Sequence, residues 1–337
     1  MSAWILPILL ISSVTSQYNE TAAKMMLNLA AGAYGNDSMR QACVQRTFSS
    51  NQNQQMVSSF RETCDGFSNT CSGYIVVSDV LQQISVVFRG TKTTSQLLLE
   101  GWTTINPEMD YYDLGRVNKY FGEASETLWS NVLSVLSNPS YSNYHVYFTG
   151  HSLGAALACL AAVKSVQQGL RQSNQVTLLT FGEPRVGNSV FANNVNNLVP
   201  DSYRVVNAAD IIPHTPGCAK IKDMENSIGS KPCDPENINK GYQHLTEIWY
   251  PNTSAPGNGY IVCDGWAKGE DFNCSDSLKW DLSDTSEAIF MHRHYFGFEV
   301  PDYGKNGCDP NLPDGTIEEQ KPALLDKVAS FVSDLFG

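Results

Sequence analysis

Residues 145–157 read His-Val-Tyr-Phe-Thr-Gly-His-Ser-Leu-Gly-Ala-Ala-Leu. The first five are rich in β-branched and aromatic side chains, as a short strand requires. Beyond Gly154 small and aliphatic residues take over, and the run Ala155–Gln168 predicts a helix. Between the two lies Gly150-His151-Ser152-Leu153-Gly154, a Gly-x-Ser-x-Gly set at a strand-to-helix turn. A serine can stand on so sharp a turn only if the residues two away on each side lack bulk, and Gly150 and Gly154 lack it. The N–H of Leu153, at the helix start, points where an attacked carbonyl would gather negative charge. Ser152 is therefore expected as a nucleophile and Leu153 as a backbone oxyanion donor.

Working outward, further runs rich in β-branched and aromatic residues occur at Gly73–Ser78, Ile84–Phe88, Val176–Phe181, Tyr203–Asn207 and Thr246–Tyr250. Helical patterns lie at Val117–Leu136 and, near the C-terminus, Pro322–Phe336. Strand–helix–strand alternation predicts an α/β fold, a mostly parallel sheet with helices on both faces. No repeat or linker divides the chain. The stretches Gly217–Lys240 and Asn252–Asp284 read as insertions rich in Pro, Gly and Asn, each with two cysteines.

A nucleophilic serine needs a base, and an elbow of this kind fixes the order as Ser, then Asp or Glu, then His. His145 and His151 precede any downstream acid and fall out on order. Asp210, just past the strand Tyr203–Asn207, is the favoured acid because triad acids project from strand ends. His214 and His244 read as structural residues. His292 and His294 remain, two apart in Met291-His292-Arg293-His294-Tyr295-Phe296, and composition does not choose between them.

The chain has 337 residues, 42% hydrophobic and 17% charged, with a formal net charge of −12. That apolar fraction supports a sizeable core and excludes disordered and collagen-like classes. The acidic balance argues against a nucleic-acid binder and against electrostatic docking on anionic lipid. Residues 1–16 carry no acidic or basic side chain, and Trp4–Ile11 is continuously apolar. They are expected to be a signal peptide cleaved before Gln17, leaving a single domain over 17–337. Eight apolar residues are too few to span a bilayer, and no later run reaches the roughly eighteen needed, so no stable membrane span is expected. Sequons at Asn19, Asn36, Asn252 and Asn273 fit a secreted, glycosylated protein. Of nine cysteines, eight fall in loop-like segments and Cys159 in a helical run, where it reads as a buried free thiol. No Cys-x-x-Cys pair or metal-ligand cluster is visible, so no metal and no cofactor is expected.

Taken together, Val86-Val87-Phe88-Arg89-Gly90-Thr91, the Ser152 elbow, Thr180-Phe181-Gly182-Glu183-Pro184-Arg185-Val186-Gly187-Asn188, Asp210–His214, Gly241–Tyr250 and His292–Gly297 resemble the fungal-type class 3 secreted lipases. The match runs in the same order over roughly residues 70 to 300. It implies the α/β-hydrolase fold and selects His292, which stands three residues before the Tyr295-Phe296 pair. It implies Thr91 as the second oxyanion donor, and a lid between Thr91 and Pro107 in which Leu98, Leu99 and Trp102 share a helical face. That stretch departs most from the family pattern, as does Arg116–Phe121. The resemblance also implies the pairings Cys43–Cys308, Cys64–Cys71 and Cys263–Cys274, with Cys218–Cys233 as an extra bridge.

The expected activity is carboxylic-ester hydrolysis at a lipid–water interface, with triacylglycerol or another neutral lipid ester as substrate. Phospholipase A1 and soluble or feruloyl-type esterase are alternatives within that class. A non-catalytic lipid-binding protein on the same scaffold would be expected to lose Ser152, Asp210 or His292, and all three are present. A serine protease is disfavoured by the chain order.

Overall fold

The computed structural model describes residues 17–64, 70–90, 109–265, 269–279 and 286–312. The expected leader, Thr91, the lid residues Leu98, Leu99 and Trp102, and the C-terminal helical pattern lie outside them.

The chain begins with helices α1 (Glu20–Gly32) and α2 (Asp37–Thr47), followed by β1 (Gln54–Thr63), β2 (Thr70–Ser78) and β3 (Gln83–Phe88). Two short strands, β4 (Met109–Asp110) and β5 (Arg116–Val117), lead to α3 (Lys119–Leu136). Then come β6 (His145–His151), α4 (Leu153–Gln167), β7 (Val176–Phe181), β8 (Gly187–Asn188), α5 (Ser189–Leu198) and β9 (Ser202–Asn207). After them stand β10 (Gly241–Tyr242), β11 (Glu247–Tyr250), β12 (Ile261–Cys263), α6 (Ser286–Arg293), β13 (His294–Tyr295), β14 (Phe298–Glu299) and α7 (Val300–Lys305).

The main sheet runs β1-β2-β3-β6-β7-β9-β11-β12. Its centre, from β3 to β11, is parallel, and β1, β2 and β12 join antiparallel at the edges. The period-2 alternation of strand side chains splits the core between two faces. Ile75, Val77, Val86, Phe88 and Leu178 pack with α3 and α4 on one face. Tyr74, Val76, Val87, Leu179 and Phe181 pack with α1, α2 and α7 on the other.

Helix α4 is buried along its length, every residue from Leu153 to Ser165. A helix apolar all round belongs in a core, and that is why Ala and Leu run through it without a polar stripe. Truncating one of its leucines, such as Leu157, would cost about 2–5 kcal/mol. Helix α3 starts at Lys119 because Asn118 caps it, its side chain accepting from the N–H groups of Tyr120 and Phe121. Val117, expected as the first helical residue, instead pairs with Gly187 in the small sheet. The described cysteines form Cys43–Cys308, Cys64–Cys71, Cys218–Cys233 and Cys263–Cys274, and Cys159 is buried and free. Among the described residues no helix is long and apolar enough to cross a membrane.

Candidate active site

Strand β6 ends at His151 and α4 begins at Leu153, so Ser152 alone makes the turn. Its backbone sits at φ 61°, ψ −131°, where a non-glycine residue persists only if its surroundings hold it. The hold is visible: the Ser152 N–H donates to the Phe181 carbonyl at 2.9 Å, and its own carbonyl accepts from Ala155 at 2.9 Å. The glycines clear the space, each against a different obstacle. A Cβ on Gly150 would lie 2.3 Å from the Gly154 backbone, and one on Gly154 would lie 2.3 Å from the carbonyl oxygen of Phe88.

Asp210 follows the end of β9, with Ala208 in a left-handed conformation between them. His292 closes from α6. The two meet through His292 Nδ1, which lies 2.9 Å from Asp210 Oδ2 and 3.1 Å from Oδ1. A carboxylate accepts, so Nδ1 carries the hydrogen and a neutral ring leaves Nε2 bare. Both side chains are buried. Ser152 Oγ and His292 Nε2 are also buried, and neither has a hydrogen-bond partner among the described residues. Gly182, adjacent to the Phe181 carbonyl that holds Ser152, lies against the other two: a Cβ there would come within 2.8 Å of Asp210 Oδ2 and His292 Nδ1.

His294 points elsewhere. Its Nδ1 donates to the Phe290 carbonyl at 2.7 Å, and its ring stacks on Phe290 at 3.8 Å. His145 pairs with Thr177, and His244 is a core residue bonded to Glu183 and the Leu245 carbonyl. Arg89, at the end of β3, is buried and donates to the carbonyls of Thr70 and Gly90. Burial pulls its guanidinium down to about 10.

Several supporting residues escaped the sequence. Tyr295 donates to Asp210 Oδ2 at 2.6 Å, and the Ile212 N–H donates to Oδ1 at 2.9 Å. Asn207 donates to the Met291 carbonyl at 3.0 Å and accepts from the Ser254 N–H at 2.6 Å, tying β9 to the helix that bears His292. Ser254 in turn accepts from the Phe296 N–H at 2.9 Å. Only Tyr295 had a local signal, its place three residues past His292.

Among the described residues four groups bring possible metal ligands within 4.8 Å of one another, and two of them rely on cysteines already joined in the Cys218–Cys233 and Cys263–Cys274 bridges. In Cys159, Glu183 and His244, the carboxylate oxygens already accept from Thr180 at 2.7 Å and His244 at 3.0 Å. In His214, Glu270 and Asp276, a cation is already present: Arg185 lies 2.6 Å from Glu270 and 3.6 Å from Asp276.

The profile of the family described as Lipase (class 3) matches residues 85–220. A lipase of Caenorhabditis elegans is 50% identical over 348 aligned positions, covering 100% of this chain and 96% of the relative. A lipase of Rhizomucor miehei is 36% identical over 228, covering 66% of this chain and 54% of that one. The solved Rhizomucor miehei triacylglyceride lipase shares the fold, with a TM-score of 0.64 at 23% identity over 84% of this chain and 96% of that chain. With a half-identical relative along its whole length, this chain belongs to the class 3 lipase family, ester hydrolases, and it carries the α/β-hydrolase fold.

Proposed function

We propose that the protein is a secreted carboxylic-ester hydrolase acting on acylglycerols through Ser152, His292 and Asp210. The observation that carries this reading is the Asp210–His292 pair at 2.9 Å, whose free ring nitrogen is buried and unpartnered, as is the elbow serine's hydroxyl. Ser152 Oγ attacks the ester carbonyl while His292 Nε2 takes its proton. Asp210 holds the ring in the Nδ1–H tautomer and stabilises the imidazolium that forms. The tetrahedral oxyanion is met by the Leu153 N–H at the start of α4 and, by family resemblance, by Thr91. On collapse, His292 gives its proton to the departing alcohol and the acyl-enzyme remains. Water then repeats the attack with His292 as base, releasing the carboxylic acid and restoring Ser152. No metal or cofactor takes part in these steps.

The four disulfides, the leader-like residues 1–16 and exposed sequon asparagines support secretion, with 17–337 as one domain. The relatives support a neutral lipid ester: one, from Fusarium solani, is a secreted mono- and diacylglycerol lipase, 31% identical over 45% of this chain and 44% of its own. A phospholipase A1 of Arabidopsis thaliana, 42% identical over 81 residues, keeps the phospholipid alternative in view. The test compares wild type with Ser152→Ala on a soluble short-chain ester, emulsified triacylglycerol and phospholipid vesicles. Loss of all hydrolysis in the variant is expected, with triacylglycerol the preferred substrate of the wild type. Undiminished hydrolysis by Ser152→Ala would overturn the triad, and preference for vesicles would replace the substrate.

A further inference from the structure

His151, the last residue of β6, directly precedes the nucleophile and takes no part in the steps above. Its ring is buried, and both nitrogens are engaged. Nε2 lies 2.8 Å from the main-chain carbonyl of His292. A carbonyl only accepts, so Nε2 carries the hydrogen. Nδ1 lies 2.8 Å from the hydroxyl of Tyr34, just beyond α1. Burial, then the neighbouring His292, push the His151 imidazole well below the ordinary histidine range, so the ring is neutral and Nδ1 is bare. Tyr34 must then donate. Its hydroxyl can do so, because burial holds the phenol well above its usual range. One tautomer of His151 satisfies both contacts, and Tyr34 selects it.

The same ring lies against the His292 ring, centroids 4.6 Å apart and planes 26° from parallel. His292 is thus held at two points, its carbonyl by the His151 N–H and one ring face by the His151 ring. The pair also meets the turn leading to Thr91. A Cβ on Gly90 would lie 2.1 Å from the Tyr34 hydroxyl oxygen and 2.6 Å from the His151 carbonyl oxygen, so that turn passes close only because it is glycine.

We infer that His151, with its tautomer set by Tyr34, is a positioning residue for His292, fixing its backbone and ring so that Nε2 faces Ser152. This inference rests on the triad reading above. A general base displaced by a fraction of an ångström loses reactivity while substrate binding persists, so the effect belongs in kcat and not in KM. Neutrality matters as well. When His292 becomes imidazolium, an uncharged ring on its face tolerates the charge that a second imidazolium would oppose.

The test measures kcat and KM on a soluble short-chain ester and the rate at which a small fluorophosphonate labels Ser152, all per titrated site. For Tyr34→Phe and His151→Leu, kcat and labelling rate are expected to fall together by about 10–100-fold, with KM within about twofold. His151→Gln is expected to recover activity to within about threefold of wild type, because an amide can donate to the His292 carbonyl and accept from Tyr34. The double variant is expected to be no slower than His151→Leu alone. Unchanged kcat per site in Tyr34→Phe, or no rescue by glutamine, would overturn the inference. If His151→Leu fails to fold, Tyr34→Phe decides, since it removes one hydroxyl and keeps the ring. Ser152→Ala runs alongside: activity there sinks the triad, whereas an inactive Ser152→Ala with a fully active Tyr34→Phe sinks the positioning role alone.

Discussion

Tyr295 Oη and His292 Nδ1 converge on one oxygen: both donate to Asp210 Oδ2, at 2.6 Å and 2.9 Å. The tyrosine hydroxyl therefore holds the carboxylate where it meets the histidine. Tyr295→Phe removes that donor and leaves a buried carboxylate lone pair unmatched. A loss of about 1.5–3 kcal/mol in stability is expected, the range for a hydrogen bond to a charged group. The Ile212 N–H still anchors Oδ1, so activity should survive at a reduced level. Urea unfolding checks the first part and kcat on a soluble ester the second; wild-type stability in the variant would show the contact to be idle.

The acid and the base can be separated from their neighbours. Asp210→Asn keeps the shape but offers an amide where His292 Nδ1–H needs an acceptor, which favours the wrong tautomer. A fall in kcat of about 10⁴ is expected, the size known for this exchange in a serine protease triad. His292→Ala should be comparably inactive. His294→Ala, which loses only a stack on Phe290 and a bond to its carbonyl, should stay within about twofold of wild type. Steady-state kinetics on one soluble ester decides all three, and a dead His294→Ala would reverse the choice.

Gly182 has φ +57° and no space for a side chain. Gly182→Ala would set a Cβ 2.8 Å from Asp210 Oδ2 and from His292 Cε1 and Nδ1. Either the backbone strain costs about 1–2 kcal/mol or the acid–base pair moves apart. Both outcomes lower activity, and kcat is expected to drop by at least about tenfold. Full activity would mean that the pair has slack the structure does not suggest.

How much of this was legible beforehand depends on where each signal lives. The parallel centre of the sheet was readable because β3, β6, β7 and β9 each carry their own run of β-branched and aromatic residues. Strand β1 was not. Its sequence, Gln54-Gln55-Met56-Val57-Ser58-Ser59-Phe60-Arg61-Glu62-Thr63, is largely polar because it lies at an edge, and only its pairing with β2 makes it a strand. Helices α1, α2 and α5 were passed over for a related reason, being short or capped by asparagines that read as loop. Within the site, the elbow motif pointed to Ser152 and the strand end to Asp210, chain order narrowed the histidines, and the family resemblance favoured His292 over His294. The same order argument set His151 aside. It tests who can be the base and says nothing about who holds the base, a contact spanning 141 residues of sequence.

The disulfides differ in what they constrain. Cys43–Cys308 closes a separation of 265 residues and joins α2 to the end of α7, whereas Cys64–Cys71 closes only 7. Loop-closure entropy assigns about 5.5 kcal/mol to the first and about 2.5 kcal/mol to the second. Cys43→Ala with Cys308→Ala should therefore lower the unfolding midpoint clearly more than Cys64→Ala with Cys71→Ala. Guanidinium titration of the two double variants ranks them, and an inverted order would mean that strain or residual unfolded structure governs.

Asp276 gives the fold a predictable response to acid. Burial alone would raise its carboxyl pKa, but the neighbouring His214, then Lys220 and Arg185, outweigh burial and hold it below the usual range. Lys220 Nζ lies 3.2 Å from Asp276 Oδ1 and Arg185 lies 3.6 Å from it. A carboxyl whose folded pKa is depressed contributes stability that is fully present above its unfolded value, about 3.9. That contribution is lost as pH falls through the lower folded value. Asp276→Asn should therefore be less stable than wild type at pH 7, and the gap should narrow steadily below about pH 4. The variant leaves Lys220 short of a counter-charge while Arg185 keeps Glu270 at 2.6 Å, so the loss at neutral pH should fall below the about 3–5 kcal/mol of a fully broken buried pair. Unfolding free energies of both proteins measured from pH 7 down to pH 3 test the sign. A gap that stayed constant across that range would show that Asp276 acts there through shape and not through charge.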